Sequence, residues 1–172
     1  YKDDTLLNRQ PKKSRKIFVC LDEQRGQYLV DGLVAMDFPL SSGVKAYPTK
    51  TGDYAVISKK EDHTSNLYGK MYDAEGKCIN YNAESTDPIP EGGRFDGSPM
   101  PYWQRLTNAG LGLHVGKVRR HPVSHGCVRL PRNVAEILYR QTSIGTPVTI
   151  QKTPLPVPEA QKIPPAQQQE SG

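Results

Sequence analysis

The run Ser124-His125-Gly126-Cys127-Val128-Arg129-Leu130-Pro131, preceded by Leu113-His114-Val115-Gly116, is the most informative part of the chain. It gathers one cysteine, two histidines and several glycines, with nine residues between His114 and Ser124. A free thiol is only a few per cent thiolate near pH 7, so a reacting cysteine needs an imidazole or another positive group beside it. His114, brought back by the intervening loop, supplies one. The ring works best when its other nitrogen is held by an acceptor, and a carbonyl near Val115 is a candidate. Gly126 lets the backbone take an unusual φ and come close to a substrate carbonyl, which makes the amides of Gly126 and Cys127 candidate oxyanion donors. His125 reads either as a second catalytic group or as a hydrogen-bonder that shapes the turn beneath Cys127.

Downstream, Pro131 reads as the first helical position, and Val134, Ile137, Leu138 and Gln141 follow at helical spacing until Gly145 and Pro147 end the helix. Thr146 to Ile150 reads as a last strand. Upstream, Ile17, Val19 and Leu21 alternate with Lys16, Phe18 and Cys20, Gln27 to Asp31 and Leu33 to Pro39 continue as strands, and Asp53 to Ser58 alternates again. Residues 59 to 101 hold turn clusters at Asp87 to Pro90 and Glu91 to Gly97, so long loops over a few short strands are expected there. Fifteen Gly and fifteen Pro disfavour a helical bundle, since each in a helix interior costs roughly 1 to 3 kcal/mol relative to Ala. The fold is therefore read as mainly β with one or two helices.

The domain is placed at residues 16–152, with a flexible basic tail at 1–15 and a Pro/Gln-rich disordered tail at 153–172. Starting at Tyr1 rather than Met, the chain reads as a processed or trimmed product, with any export signal or anchor lying outside it. A net charge of +5 suits a polyanionic setting, whether nucleic acid, membrane face or cell wall. No apolar run is long enough to span a membrane. Three cysteines, Cys20, Cys78 and Cys127, leave at least one thiol unpaired within the chain. A Cys20–Cys78 disulfide and simple packing of Cys20 are both open. No CxxC pair suggests zinc, and neither metal nor cofactor is implied.

Ser124 to Arg129, with the upstream His114, resembles the signature of the YkuD-type L,D-transpeptidases. A fixed run such as SHGC arises by chance on the order of once in 10⁵ positions or less often. Thr49-Lys50-Thr51-Gly52-Asp53-Tyr54 resembles the family's TPTGxF run, with Lys50 in place of a usual Pro. Met100-Pro101-Tyr102-Trp103 resembles the segment before the active-site strand, and Val115 stands where Gly is frequent. The resemblance implies a β-sandwich or barrel catalytic domain working outside the cytoplasm, in the bacterial cell envelope. It implies that Cys127 attacks the third residue of a peptidoglycan stem, releases terminal D-alanine and passes the acyl group to an amine of a second stem. It also implies that carbapenem-type β-lactams acylate Cys127. Arg129, with the basic loop Lys117 to Arg120, is suited to substrate carboxylates; Ser124, Tyr102, Trp103 and Tyr54 are the other candidate substrate contacts.

Other readings compete. Water or a lipoprotein amine in place of the second stem gives an L,D-carboxypeptidase or an anchoring enzyme. His114, His125 and Cys127 as metal ligands, an inactive wall-binding domain, or a nucleic-acid module motivated by charge are further alternatives. The nucleic-acid reading leaves SHGC unexplained and lacks interleaved aromatics, so no nucleic-acid partner is expected. His63 and His121 read as ordinary surface residues.

Overall fold

The computed structural model describes residues 1–157. Ten strands and two helices follow in the order α1 (Asp4–Leu7), β1 (Arg15–Cys20), β2 (Arg25–Val30), β3 (Leu33–Pro39), β4 (Gly52–Ala55), β5 (Ser58–Tyr72), β6 (Cys78–Glu84), β7 (Arg94–Arg105), β8 (Gly112–Val115), β9 (Val128–Leu130), α2 (Arg132–Gln141) and β10 (Pro147–Gln151). They form two five-stranded sheets, β3-β2-β1-β10-β4 and β6-β5-β7-β8-β9. The chain is thus mainly β with two helices, as its Gly, Pro and alternation patterns predict.

One buried apolar cluster draws on both sheets and both helices. Ile17, Val19, Tyr28, Val30 and Ile150 come from the first sheet, Leu113, Val128 and Leu130 from the second, and Leu138 from α2. Each such side chain contributes about 1.5 to 3 kcal/mol by leaving water. Helix α2 buries Val134, Ala135 and Leu138 and leaves Ile137 partly covered, so the helical stripe points where its spacing predicts. Pro131 is the N-cap rather than the first helical residue, and its carbonyl accepts from the Ala135 amide at 2.9 Å.

Four expectations are corrected. Residues 59–101 are not loops over short strands: β5 and β7 are long and pair antiparallel from Ser58↔Arg105 to Tyr72↔Arg94. Strand β5 reads Ser-Lys-Lys-Glu-Asp-His-Thr-Ser-Asn-Leu-Tyr-Gly-Lys-Met-Tyr and buries little, so it carries no apolar alternation to betray it. The Asp53 to Ser58 stretch instead spans the end of β4 and the start of β5.

The segment 1–15 is docked rather than flexible. Asp3 N donates to Ala35 O at 2.7 Å, Lys2 bridges to Met36 on the edge of β3, and Asp3 caps α1 by accepting from Leu6 N at 3.1 Å. Leu6 and Leu7 enter the core, and Gln141 Nε2 donates to Leu7 O at 3.0 Å. Two adjacent leucines without wider periodicity were enough to fold one helical turn onto the domain. The start of the 153–172 tail is held as well. Leu155 is buried, Glu23 accepts from its amide at 2.7 Å, and Arg25 Nη2 donates to the carbonyls of Leu155 and Pro156 at 3.0 and 2.8 Å. The Pro/Gln-rich remainder, 158–172, lies outside the described residues. Cys20 and Cys78 are free thiols, one buried in β1 and the other at the start of β6 in the opposite sheet.

Docking of α1 makes a measurable difference. Leu7→Ala is expected to lower the unfolding free energy by about 2 kcal/mol or more, read by urea denaturation; a change near zero would mean that the segment hangs free.

Candidate active site

The turn before β9 is built by backbone contacts to the loop after β3. Ser41 and Arg129 exchange backbone hydrogen bonds at 3.1 and 2.8 Å, Ser42 O accepts from Val123 and Ser124, and Ser124 O accepts from Val44 N at 3.0 Å. Thr49 Oγ1 accepts from Gly43 N at 2.8 Å and donates to Gly126 O at 2.6 Å. Gly43 lies so close to this turn that a Cβ there would stand 2.8 Å from Gly126 Cα. Gly126 has φ of +122°, a conformation that side-chain-bearing residues rarely adopt. Ser124 Oγ donates to Cys127 O at 2.5 Å and accepts from Gly126 N at 3.2 Å. These bonds leave little freedom to the residue that follows, Cys127.

Strand alternation then assembles the chemistry on one face of the second sheet. Arg105 of β7 pairs with Gly112 of β8, and His114 of β8 pairs with Arg129 of β9. With a period of two, Trp103 and Arg105, Gly112 and His114, and Cys127 and Arg129 share that face. The opposite face carries Gln104, Leu113, Val128 and Leu130, all buried. The shared face lines a cavity of about 750 Å³. Gly112 is required there because a Cβ would stand 2.5 Å from the Trp103 ring.

His114 is 5% exposed, and its Nδ1 lies 2.6 Å from the carbonyl of Val115. A carbonyl only accepts, so Nδ1 carries the proton and Nε2 keeps its lone pair. Burial lowers the His114 pKa to about 4; the Val115 carbonyl opposes the shift, while the charges of Arg129 and His63 add to it. The ring is a neutral base at pH 7. Burial pushes the Cys127 thiol up, opposed by the Gly112 amide and the nearby charges of Arg105 and Arg129. Its Sγ donates to Gly110 O at 3.2 Å. The resting pair is therefore thiol and imidazole rather than thiolate and imidazolium.

Of the residues singled out by sequence, Cys127, His114, Gly126, His125, Val115, Arg129, Ser124, Trp103 and Tyr54 all line this cavity. Tyr102 does not: with φ of +55° it turns to the other side and packs edge-on to Tyr139 of α2, ring centroids 5.5 Å apart. His125 stacks on Tyr68 at 4.4 Å and meets Tyr47 edge-on at 4.9 Å, as part of an aromatic wall. Gly126 N is already engaged by Ser124, which leaves the Cys127 amide as the better oxyanion candidate. In the basic loop only Lys117 reaches the cavity; Arg119 and Arg120 do not line it. Among the described residues, no three His, Cys, Asp or Glu side chains gather as a metal set, so His114, His125 and Cys127 do not form one.

His63, read as a surface residue, stacks on Trp103 at 4.6 Å and lines the cavity. Burial lowers its pKa, as do Arg105 and Lys60. Arg105, whose guanidinium lies over Trp103, and Tyr68 were also missed. His63 and Tyr68 sit on β5, where the sequence shows no apolar alternation, and nothing in the local pattern marks them. Arg105 stands two residues after Trp103 on one strand, and this spacing could have placed it on the Trp103 face.

The L,D-transpeptidase catalytic domain family, YkuD, matches residues 14–150. The chain is similar to the probable L,D-transpeptidase 3 of Mycobacterium tuberculosis, with 31% identity over 121 residues covering 66% of this chain and 38% of that protein. In fold it is similar to an L,D-transpeptidase from Mycobacterium smegmatis, with a TM-score of 0.62, 22% identity, and 80% of this chain and 58% of that one covered. It is also similar to L,D-transpeptidase 3 from Mycobacterium tuberculosis in complex with a faropenem-derived adduct, with a TM-score of 0.60, 24% identity, and 80% and 60% covered. The chain thus spans less than two thirds of each of these proteins.

The neutral ring has a consequence for stability. Unfolded, His114 titrates near 6.5; folded, it takes a proton only near about 4. Between these values the unfolded chain binds more protons, so the contribution of the neutral ring is complete above about pH 6.5 and is lost as pH falls toward 4. The difference corresponds to about 3 kcal/mol. Urea denaturation from pH 7 to pH 4 is expected to show that loss, and His114→Gln to show less of it; equal losses in the two proteins would contradict the assignment.

Proposed function

The chain belongs to the L,D-transpeptidase catalytic domain family, YkuD, and from that membership we propose that it is a peptidoglycan L,D-transpeptidase with Cys127 as nucleophile and His114 as general base and acid. The observation that carries this reading is the sharing of one sheet face and one cavity by Cys127 and a neutral His114 of defined tautomer. His114 Nε2 takes the thiol proton as Sγ bonds to the carbonyl carbon of the third stem residue. The Cys127 amide faces the developing oxyanion, where one such donor contributes on the order of a hundredfold or more in rate.

As the C–N bond to D-alanine breaks, the imidazolium returns its proton to the leaving amine. The thioester is then attacked by the side-chain amine of a second stem. A new amide forms, the S–C bond breaks, and the proton lost by the amine restores the thiol through His114. The product is a 3-3 cross-link in the extracytoplasmic wall. A strained β-lactam carbonyl meets the same nucleophile, so carbapenem-type compounds acylate Cys127 and remain bound to it.

Mass spectrometry of the protein mixed with a tetrapeptide stem is expected to show a thioester on Cys127 equal to the stem minus D-alanine. Cys127→Ala gives none, and His114→Gln slows acylation by about 10²- to 10⁴-fold. Adding an amine acceptor gives the dimeric product; release of free tripeptide alone would replace cross-linking by trimming. No adduct with either stems or carbapenems would sink the proposal.

A further inference from the structure

Trp103 is the single tryptophan of the chain, and it is 3% exposed. Three basic side chains meet its ring. His63 of β5 stacks on it, with centroids 4.6 Å apart and planes 19° from parallel. Arg105 of β7 lies over it at 5.3 Å, and His114 of β8 tilts against it at 6.1 Å and 42°. The far edge of the indole presses on β8 itself, since a Cβ on Gly112 would stand 2.5 and 2.6 Å from two of its ring carbons. Trp103 is thus wedged between His63, on its face, and the strand that carries His114, at its edge. No polar contact anchors it there: among the described residues the buried Nε1 has no hydrogen-bond partner, so packing alone sets where the ring lies. The backbone just before it is held by packing too. Tyr102 has φ of +55°, which costs of order 1 to 3 kcal/mol in a residue with a side chain and persists only where its surroundings impose it.

His114 needs such a wall. Its one hydrogen bond, from Nδ1 to Val115 O at 2.6 Å, fixes the tautomer but not the tilt of the ring. Trp103 is the aromatic surface that limits that tilt and keeps water from the base. His63 is suited to back the indole as a flat, neutral plate. Burial opposes a charge on it, as do Arg105 of β7 and Lys60 of its own strand, His114 facing it from β8 is neutral, and no aspartate or glutamate lines the cavity. We propose that His63 is a positioning residue: by stacking on Trp103 it holds the indole against Gly112 and His114, and so fixes the ring that takes the proton of Cys127. It acts through Trp103 rather than on the reacting atoms. The kinetic consequence rests on the transpeptidase reading above, whereas the geometry of the stack does not.

The experiment compares the wild type with His63→Ala, His63→Gln and His63→Phe. Phenylalanine keeps a stacking ring and loses both nitrogens; glutamine keeps a polar side chain and loses the ring. Emission from the lone indole reports the stack directly, and is expected to move to longer wavelength in the Ala and Gln variants and to stay near the wild-type maximum in Phe. An NMR titration of His114 is expected to show its pKa rising from about 4 toward 6.5 in Ala and Gln, by about one unit or more, as water reaches the ring. All three variants remove the small opposing charge of His63, so the difference between Phe and the other two isolates the stack. With a tetrapeptide stem, kcat for thioester formation is expected to fall about 10- to 100-fold in Ala and Gln with KM within about twofold, and Phe to recover it to within about threefold of wild type. Urea denaturation checks that each variant is folded, and the Gln and Phe pair carries the same contrast if Ala is not. Rescue by Gln but not by Phe would mean that His63 acts through its nitrogens, and a rise in KM alone would make it a substrate contact. Either result, or unchanged emission and His114 titration in Ala and Gln, overturns the assignment. Absence of a thioester in the wild type would instead remove the transpeptidase reading, while emission and titration still decide whether the stack positions His114.

Discussion

The site hangs on the Thr49 hydroxyl, which accepts from Gly43 N and donates to Gly126 O. That group joins the backbone bonds of Ser41, Ser42 and Val44 in tying the loop after β3 to the turn before β9, at a point where Gly43 and Gly126 approach too closely for a side chain on Gly43. Without it, Gly126 O would lose this partner, and the φ of +122° would rest on the remaining bonds of the turn and the loop. Buried Gln24 backs the arrangement by donating to Ser42 Oγ at 2.8 Å and accepting from the Ser42 amide at 3.0 Å. The hydrogen bonds are worth about 1 kcal/mol each, but they act on one short turn, and their joint effect is geometric. Cys127 enters β9 with its side chain on the His114 face, because the turn allows no other register.

How much of this could be read from residue order depends on the kind of signal. His114, Gly126 and Cys127 announce themselves because a rare combination of residue types falls within one short span, and the Val115 carbonyl follows from what an imidazole needs. Strands β1 to β3 and helix α2 are legible because the core demands apolar residues at period two or 3.6, and Ile17, Val19, Val134 and Leu138 meet that demand. Strand β5 is opaque for the converse reason: its pairing partner is β7, its surface faces solvent and cavity, and neither requires apolar alternation. His63 is lost with it. Tyr102 and Trp103 were read together as cavity walls, yet neighbours on a strand point to opposite sides, so one of the pair had to leave. The first turn of helix at Asp4–Leu7 is too short for periodicity, and only its tertiary contacts reveal it.

The division between sheets mirrors the division of tasks. Strands β8 and β9 are short, buried on their core face and backed by Leu138 of α2, which makes them a rigid mount for His114 and Cys127. Strands β5 to β7 extend beyond that mount, are largely polar, and carry His63, Tyr68 and Arg105 into the same cavity. His114 and Cys127 thus sit where packing constrains the backbone most, while the more polar β5 to β7 supply the facing wall of the cavity. The docked segments at both ends of the described chain reinforce the first sheet, α1 against β3 and Leu155 against β2.

Burial has opposite consequences for the two kinds of titratable group in the cavity. Histidine and cysteine escape the desolvation penalty by going neutral, and both His114 and Cys127 are shifted in that direction. Arginine has no neutral form available, so Arg129 keeps its charge even though burial lowers its pKa. The cavity consequently sets a neutral His114 and Cys127 near the charges of Arg105 and Arg129. The Arg129 charge that helps hold His114 low also pulls Cys127 down, so it favours a thiolate while disfavouring an imidazolium. One guanidinium therefore acts on both groups in the same direction, and the difference between their pKa values, which decides where the proton rests, changes less than either value alone.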